Sequence, residues 1–321
     1  MKKKILFCII ISMFILSGCQ VSSDNYLTFQ DIDASTDNNT DRDLTESDFF
    51  ATNLVVIPEI ENQGEDAALT AGATLLVNVK EKEALYADNV YEKLYPASLT
   101  KLLTALVVFR YGELSDSVSV SYKASHIPEI GAKICGFEEG DVLSLETLLN
   151  CLLIYSGNDA GIAIAEHISG SEEAFAKKMN EEARRIGAVH SNFVNSHGLH
   201  DDSQYTTAYD MYLIFNELIQ SDLFRSIINS ASYTANYTDK DGAPKEKTFE
   251  TTDQYLEGTT PPPEGVSVIG GKTGTTNLAG NCLILLCKDS NQTDYIALIL
   301  KAEGNDQLYT QMTHLISSIK D

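Results

Sequence analysis

The apolar pattern of this 321-residue chain changes period twice, and that change limits the folds open to it. Near one end, ATLLVNV (73–79) and EALYADN (83–89) read as two strands flanking a charged turn, which predicts a hairpin. Near the other, VSVIGGKTG (266–274), NCLILLCK (281–288) and DYIALILK (294–301) read as three adjacent strands, followed by a helix from about Gln307. Between them the period is helical. Leu99, Leu102, Leu103, Leu106 and Val107 share one face, and LETLLNCLLIY (145–155) breaks at Ser156-Gly157-Asn158. Asp159 is expected to cap the next helix, Gly187 ends the one after it, and Thr207 with Asp210 forms a capping-box-like start. Strands at both ends with helices between predict an α/β (α+β) fold. Its central antiparallel sheet is formed by both ends of the folded part and flanked by helices, with an inserted all-helical lobe at about 112–225.

The first nineteen residues, MKKKILFCIIISMFILSGC, carry three lysines, a short apolar run and a small-residue ending, the pattern of an export signal. From Cys19 to about Asp66 the chain is rich in Asp, Asn, Ser and Thr with Arg42 its one basic residue, a composition that cannot support a packed unit, so an acidic tether is expected over 20–66. The net charge of -23 argues against nucleic acid as a partner, since phosphate binding needs clustered Lys and Arg.

Within the folded part, 67–321, one short stretch poses a chemical question. Tyr95-Pro96-Ala97-Ser98-Leu99-Thr100-Lys101 puts a hydroxyl and an amine three places apart where a helix begins, so the two share a face. The first-turn N–H groups there favour a developing oxyanion. A lysine acts as a base only if burial or a second cation lowers its pKa. Lys272, in Lys272-Thr273-Gly274, supplies such a cation on a strand, and Ser156 and Asn158 sit at a break between helices. S-x-x-K, S-D-N and K-T-G are the signature of class A β-lactamases and penicillin-binding proteins, and this chain has them in that order with Ser156-Gly157-Asn158 replacing S-D-N. Singly these motifs carry little: Ser317 to Lys320 also matches S-x-x-K, and Ser23 to Asn25 spells S-D-N. Only the chosen trio places each motif in a helix start, a bend and a strand.

The resemblance extends further. YPASLTKLLTA, YSGNDAGIAIAEHISGSEEAF, FVNSHGL, YTTAYDM and GKTGTTNLAGNC resemble the serine-type D-alanyl-D-alanine carboxypeptidases, the low-molecular-mass penicillin-binding proteins, from about Leu69 onward. The resemblance implies that Ser98 is the acylated nucleophile, Lys101 its base, and Ser156 and Asn158 a proton relay and substrate clamp. It implies that Lys272 and Thr273 anchor the substrate carboxylate beside Gly274 and Thr275, with the Ser98 and Thr275 N–H groups as oxyanion donors. Peptidoglycan stem peptides are the implied substrate and β-lactams the implied covalent inhibitors. Leu16 to Cys19 resembles a lipobox, which implies lipidation of Cys19 and anchoring on the outer face of the bacterial cytoplasmic membrane. Longer relatives carry a C-terminal β domain that is not expected here. Many also carry an arginine after the last strand, where this chain has KAEGNDQL.

No metal or other cofactor is expected, because neither HExxH nor GxSxG occurs and His197 and His200 read as loop residues in solvent. A phosphate-binding loop at Gly271-Lys272-Thr273 lacks its first glycine, Val266 standing in its place. Glu146 to Asn150 spells E-T-L-L-N but precedes the Ser156 bend, which fits a core helix better than a deacylating element. Cys282 and Cys287, five apart in a strand, point to opposite faces, and small buried thiols are expected there and at Cys135 and Cys151. The alternatives left open are a D,D-endopeptidase or β-lactamase of the same fold, and a non-catalytic cell-wall-binding lipoprotein.

Overall fold

A computed structural model describes residues 54–58 and 65–319. The expected signal, Cys19 and most of the tether lie outside the described residues. Strands β1 (Ala73–Asn78) and β2 (Glu83–Asp88) form the hairpin. Strands β7 (Ser267–Thr276), β8 (Gly280–Lys288) and β9 (Asp294–Ala302) complete a five-stranded antiparallel sheet in the order β2-β1-β9-β8-β7. The two ends of the folded part meet where β1 pairs with β9, Leu75 opposite Leu298.

The sheet is buried on both faces. Cys282, Ile284 and Leu286 of β8 point toward the helical side, while Leu283, Leu285 and Cys287 point toward the C-terminal helix, so the two thiols do lie on opposite faces. That helix, Asn305–Ile316, begins close to the expected place and buries Leu308, Met312 and Leu315. Each fully buried Leu or Ile side chain contributes roughly 2 kcal/mol. All four described cysteines are free and buried.

Four helices of eleven to fourteen residues pack on the opposite side: α4 (Ala208–Leu218) lies against β1 and β9, and α1 (Thr100–Tyr111) packs on α4 and on α2 (Asn158–Ser169) and α3 (Glu172–Arg185) beyond it. Gly187 is left-handed as expected, and the Thr207 hydroxyl accepts from the Asp210 N–H at 3.0 Å.

Two expectations need correction. The inserted lobe is not all-helical, because β3 (Ser117–Ser119) and β4 (Val142–Ser144) join the hairpin of β5 (Ser232–Thr238) and β6 (Pro244–Glu250) in a second, four-stranded antiparallel sheet. Nor is the tether solvated throughout. Val55 and Ile57 are buried, the Val55 N–H donates to Tyr212 Oη at 3.2 Å, and Tyr209 Oη donates to the Val55 carbonyl at 2.7 Å.

Candidate active site

Pro96 fixes its own φ at -75° and Ala97 takes a left-handed φ of 46°, so the chain turns sharply into a short 3-10 segment, Ala97–Leu99, before α1. Ser98 lies in that turn and Lys101 one turn further on, fully buried among Leu99, Leu102 and Leu103. Lys101 Nζ is 3.0 Å from Ser98 Oγ, 2.7 Å from Asn158 Oδ1 and 2.5 Å from the His197 carbonyl oxygen. Burial first, then the charge of Lys272, holds the Lys101 amine well below its usual range.

Asn158 reaches Lys101 because of the bend before it. Ser156 is buried there with a left-handed φ of 72°, a conformation that non-glycine residues adopt at a cost of order 1–3 kcal/mol. Such strain persists where the surroundings impose it, and it concentrates at functional sites. Gly157 has no room for a Cβ, which would strike Cys135 Sγ. The Asn158 N–H donates to the Lys133 carbonyl at 2.8 Å.

Asp159 is not the N-cap residue of α2, a position Gly157 takes, although its Oδ1 accepts the Ala160 N–H of the first turn at 3.0 Å. Its carboxylate also accepts the N–H groups of Cys135 at 2.8 Å, Gly136 at 2.8 Å and Phe137 at 3.4 Å, pinning the loop that overlies the bend.

Strand β7 is the edge of the large sheet and faces the Ser98 turn. A Cβ at Gly274 would come 2.9 Å from the Ser98 nitrogen and 3.1 Å from that of Leu99, so glycine lets the strand approach the turn this closely. Lys272 is buried, donates to the Thr273 carbonyl at 2.9 Å, and is lowered to about 7 by burial first and by Lys133 second. The Thr273 hydroxyl bonds that of Thr252 at 2.5 Å. The exposed Thr275 turns its hydroxyl to Asn281 Oδ1, 3.1 Å away.

Ser98 and Asn158 therefore each contact Lys101 directly. Lys272 lies close enough to depress Lys101, and Gly274 abuts the turn. Sequence reasoning missed His197, which is buried rather than solvated, its Nδ1 accepting from the Leu199 N–H at 3.1 Å and its Nε2 lying 3.3 Å from Glu172 Oε1. Its contribution through a carbonyl leaves no side-chain signal, although the glycine following it marks a tight approach. Glu146 is exposed on a helix entering the bend, and Glu166 accepts from the Ser121 hydroxyl at 2.6 Å. Among the described residues no group of three or more His, Cys, Asp or Glu is placed to hold a metal ion.

Residues 60–304 match the family described as D-alanyl-D-alanine carboxypeptidase. The chain is 31% identical over 258 residues to D-alanyl-D-alanine carboxypeptidase DacF of Bacillus subtilis, covering 78% of this chain and 62% of that one. It is 32% identical over 265 residues to D-alanyl-D-alanine carboxypeptidase DacC of Escherichia coli, covering 80% and 63%. The chain thus spans a little under two thirds of the length of these relatives. Among solved structures, penicillin binding protein 5 of Haemophilus influenzae aligns with a TM-score of 0.68 at 26% identity, covering 78% of this chain and 70% of that one.

Proposed function

This chain belongs to the D-alanyl-D-alanine carboxypeptidase family, and we propose from that premise that it removes the terminal D-alanine of peptidoglycan stem pentapeptides through an acyl-enzyme on Ser98. One observation carries the reading. Two of the three contacts of Lys101 Nζ are carbonyl oxygens, which only accept. A neutral amine has two N–H bonds and one lone pair. Spending both N–H groups on Asn158 and His197 leaves the lone pair for the Ser98 hydroxyl, the arrangement a general base requires.

Ser98 Oγ then attacks the last peptide carbonyl as its proton passes to Lys101. The new oxyanion is met by the N–H groups of Ser98 and Thr275. The C–N bond breaks, and D-alanine leaves with the proton returned through Lys101 and Ser156, while Asn158 clamps the peptide. Water next cleaves the ester and restores Ser98. The edge of β7 offers main-chain groups for the substrate to pair with as an added strand, and Lys272 with Thr273 takes its carboxylate. β-Lactams acylate the same hydroxyl. The protein works outside the cytoplasmic membrane, held by lipid on Cys19, with the residues before Leu54 giving reach and the catalytic unit following; the sequence L-S-G-C supports this placement.

The test is fluorescent-penicillin labelling of the wild type and of Ser98→Ala, alongside D-alanine release from a pentapeptide. Label and release that both vanish in Ser98→Ala support the reading. Rapid loss of label through drug hydrolysis points to a β-lactamase, cleavage confined to cross-linked dimers to an endopeptidase, and neither label nor release to a binding protein.

A further inference from the structure

Three lysines converge on this site, and the third belongs to no motif. Lys133 sits in the loop between the short helix Tyr122–Ser125 and β4. Its main chain is fixed there, for its carbonyl accepts the Asn158 N–H at 2.8 Å, and the next residues but one are held by Asp159. Its Nζ lies 4.3 Å from the centroid of the Tyr155 ring, the residue before Ser156. A ring face attracts the charge without occupying the N–H donors.

The surroundings make this a charge waiting for a counter-charge. No carboxylate forms an ion pair with Lys133 among the described residues; Glu257 and Cys135 act on it only through their fields. Lys133 is itself the second cause, after burial, of the depression of Lys272, and it depresses Lys101 too. Like charges repel the more strongly the less water lies between them. Lys272 donates to the Thr273 carbonyl and Lys101 to Asn158 and His197, so neither amine is hydrogen-bonded to an acid. Lys133, unlike the other two, is exposed and open to a ligand. KAEGNDQL, which covers the last two residues of β9 and the segment after it, contains no arginine.

We propose that Lys133 is a substrate-binding residue whose ammonium, together with Lys272, takes the terminal carboxylate of the stem peptide. It rests on the carboxypeptidase reading and adds to it a recognition element delivered by the helical lobe rather than by the sheet. The lysine's proximity to both buried amines favours the carboxylate at the scissile end over one carried further up the stem.

The experiment compares full-length wild type, Lys133→Met and Lys133→Arg on diacetyl-L-lysyl-D-alanyl-D-alanine and on the same peptide with a C-terminal carboxamide. Lys133→Met should lower kcat/KM for the free acid roughly ten- to hundredfold, mainly through KM, as loss of a hydrogen bond to a charged group does. It should leave the carboxamide within about twofold, and Lys133→Arg should recover most of the loss. Equal losses on both peptides, or none on either, overturn the proposal. So does a loss seen only when the third residue is diaminopimelate, since that assigns Lys133 to a side-chain carboxylate. A wild type that releases no D-alanine and takes no penicillin label sinks the carboxypeptidase reading itself, whereas an active wild type with an indifferent Lys133→Met sinks this inference alone.

Discussion

The carbonyl oxygen of His197 stands 2.5 Å from Lys101 Nζ, although 96 positions separate the two residues. The contact is made by main chain, so it depends on the shape of the loop rather than on the imidazole. That shape is braced locally: Asn195 Oδ1 accepts the N–H groups of His197 at 3.3 Å and Gly198 at 2.7 Å, and Thr104 Oγ1 donates to the Ser196 carbonyl at 2.6 Å.

Gly198 has φ 90°, and a Cβ there would strike the Ala97 carbonyl immediately before Ser98. Gly198→Ala should therefore destabilise the protein by about 1–3 kcal/mol and slow penicillin acylation at least roughly tenfold. Thermal melts and stopped-flow labelling measure the two effects, and wild-type values for both would remove this loop from the account.

Burial raises the Glu172 carboxylate, but hydrogen bonds from His197 and Lys123 outweigh it and hold the group at about 2, below its usual 4.5. A depressed folded value stabilises above the unfolded one and is lost as pH falls. Glu172→Gln should thus cost about 2 kcal/mol at pH 7 in urea unfolding, with the difference shrinking between about pH 4.5 and 2. A difference that is flat across that window contradicts the charge-based origin.

Lys272 runs the other way. Its folded value of about 7 lies below the ordinary 10.5, so the unfolded chain binds the extra proton and stability rises with pH between those limits. Lys272→Met should lose most activity on free-acid peptides yet melt above the wild type at pH 6, and the advantage should fade toward pH 10. A Lys272→Met protein less stable than wild type at pH 6 would show that the buried amine is better compensated than its contacts indicate.

Asp159→Ala removes the acceptor for the N–H groups of Cys135, Gly136 and Phe137. Leaving buried donors unpaired costs about 1–3 kcal/mol each at most. The expected result is a drop of roughly 2–4 kcal/mol in urea unfolding, together with faster amide hydrogen exchange confined to the loop bearing Lys133. Unchanged exchange there argues that other contacts hold the loop.

Cys19→Ser should shift the protein from the membrane fraction to the soluble one in a bacterial host and abolish incorporation of labelled palmitate, while the soluble form keeps its penicillin label. Retention in the membrane rules out the lipid as the anchor.

Much of the large sheet is legible in the sequence because its strands are apolar for most of their length, as with Cys282 to Cys287, where every residue is buried. The Ser98–Lys101 pair is legible because helical spacing alone makes residues three apart neighbours. The second sheet is less so: β3 and β4 have three residues each, and β6 buries only Phe249 among charged residues, while β5 does alternate Tyr233, Ala235 and Tyr237 with polar residues but is too short and too little buried to stand out beside the helices. Asp159 misleads because a residue at a helix start is read as bonding its own first turn, and although its Oδ1 does accept the Ala160 N–H, its other partners lie 22 to 24 positions earlier. Lys133 is invisible for a related reason, since its neighbours Tyr155 and Asn158 come to it only through the tertiary fold.

The Ser98 turn is wedged between Gly274 of the sheet and Gly198 of the lobe, each close enough that one added carbon would not fit. A hinge motion separating the two halves would pull Ser98, Lys101 and Asn158 apart, so the fold leaves little freedom for opening and closing. Heat inactivation should coincide with global melting instead of preceding it, making catalytic competence and native structure a single cooperative property of the molecule.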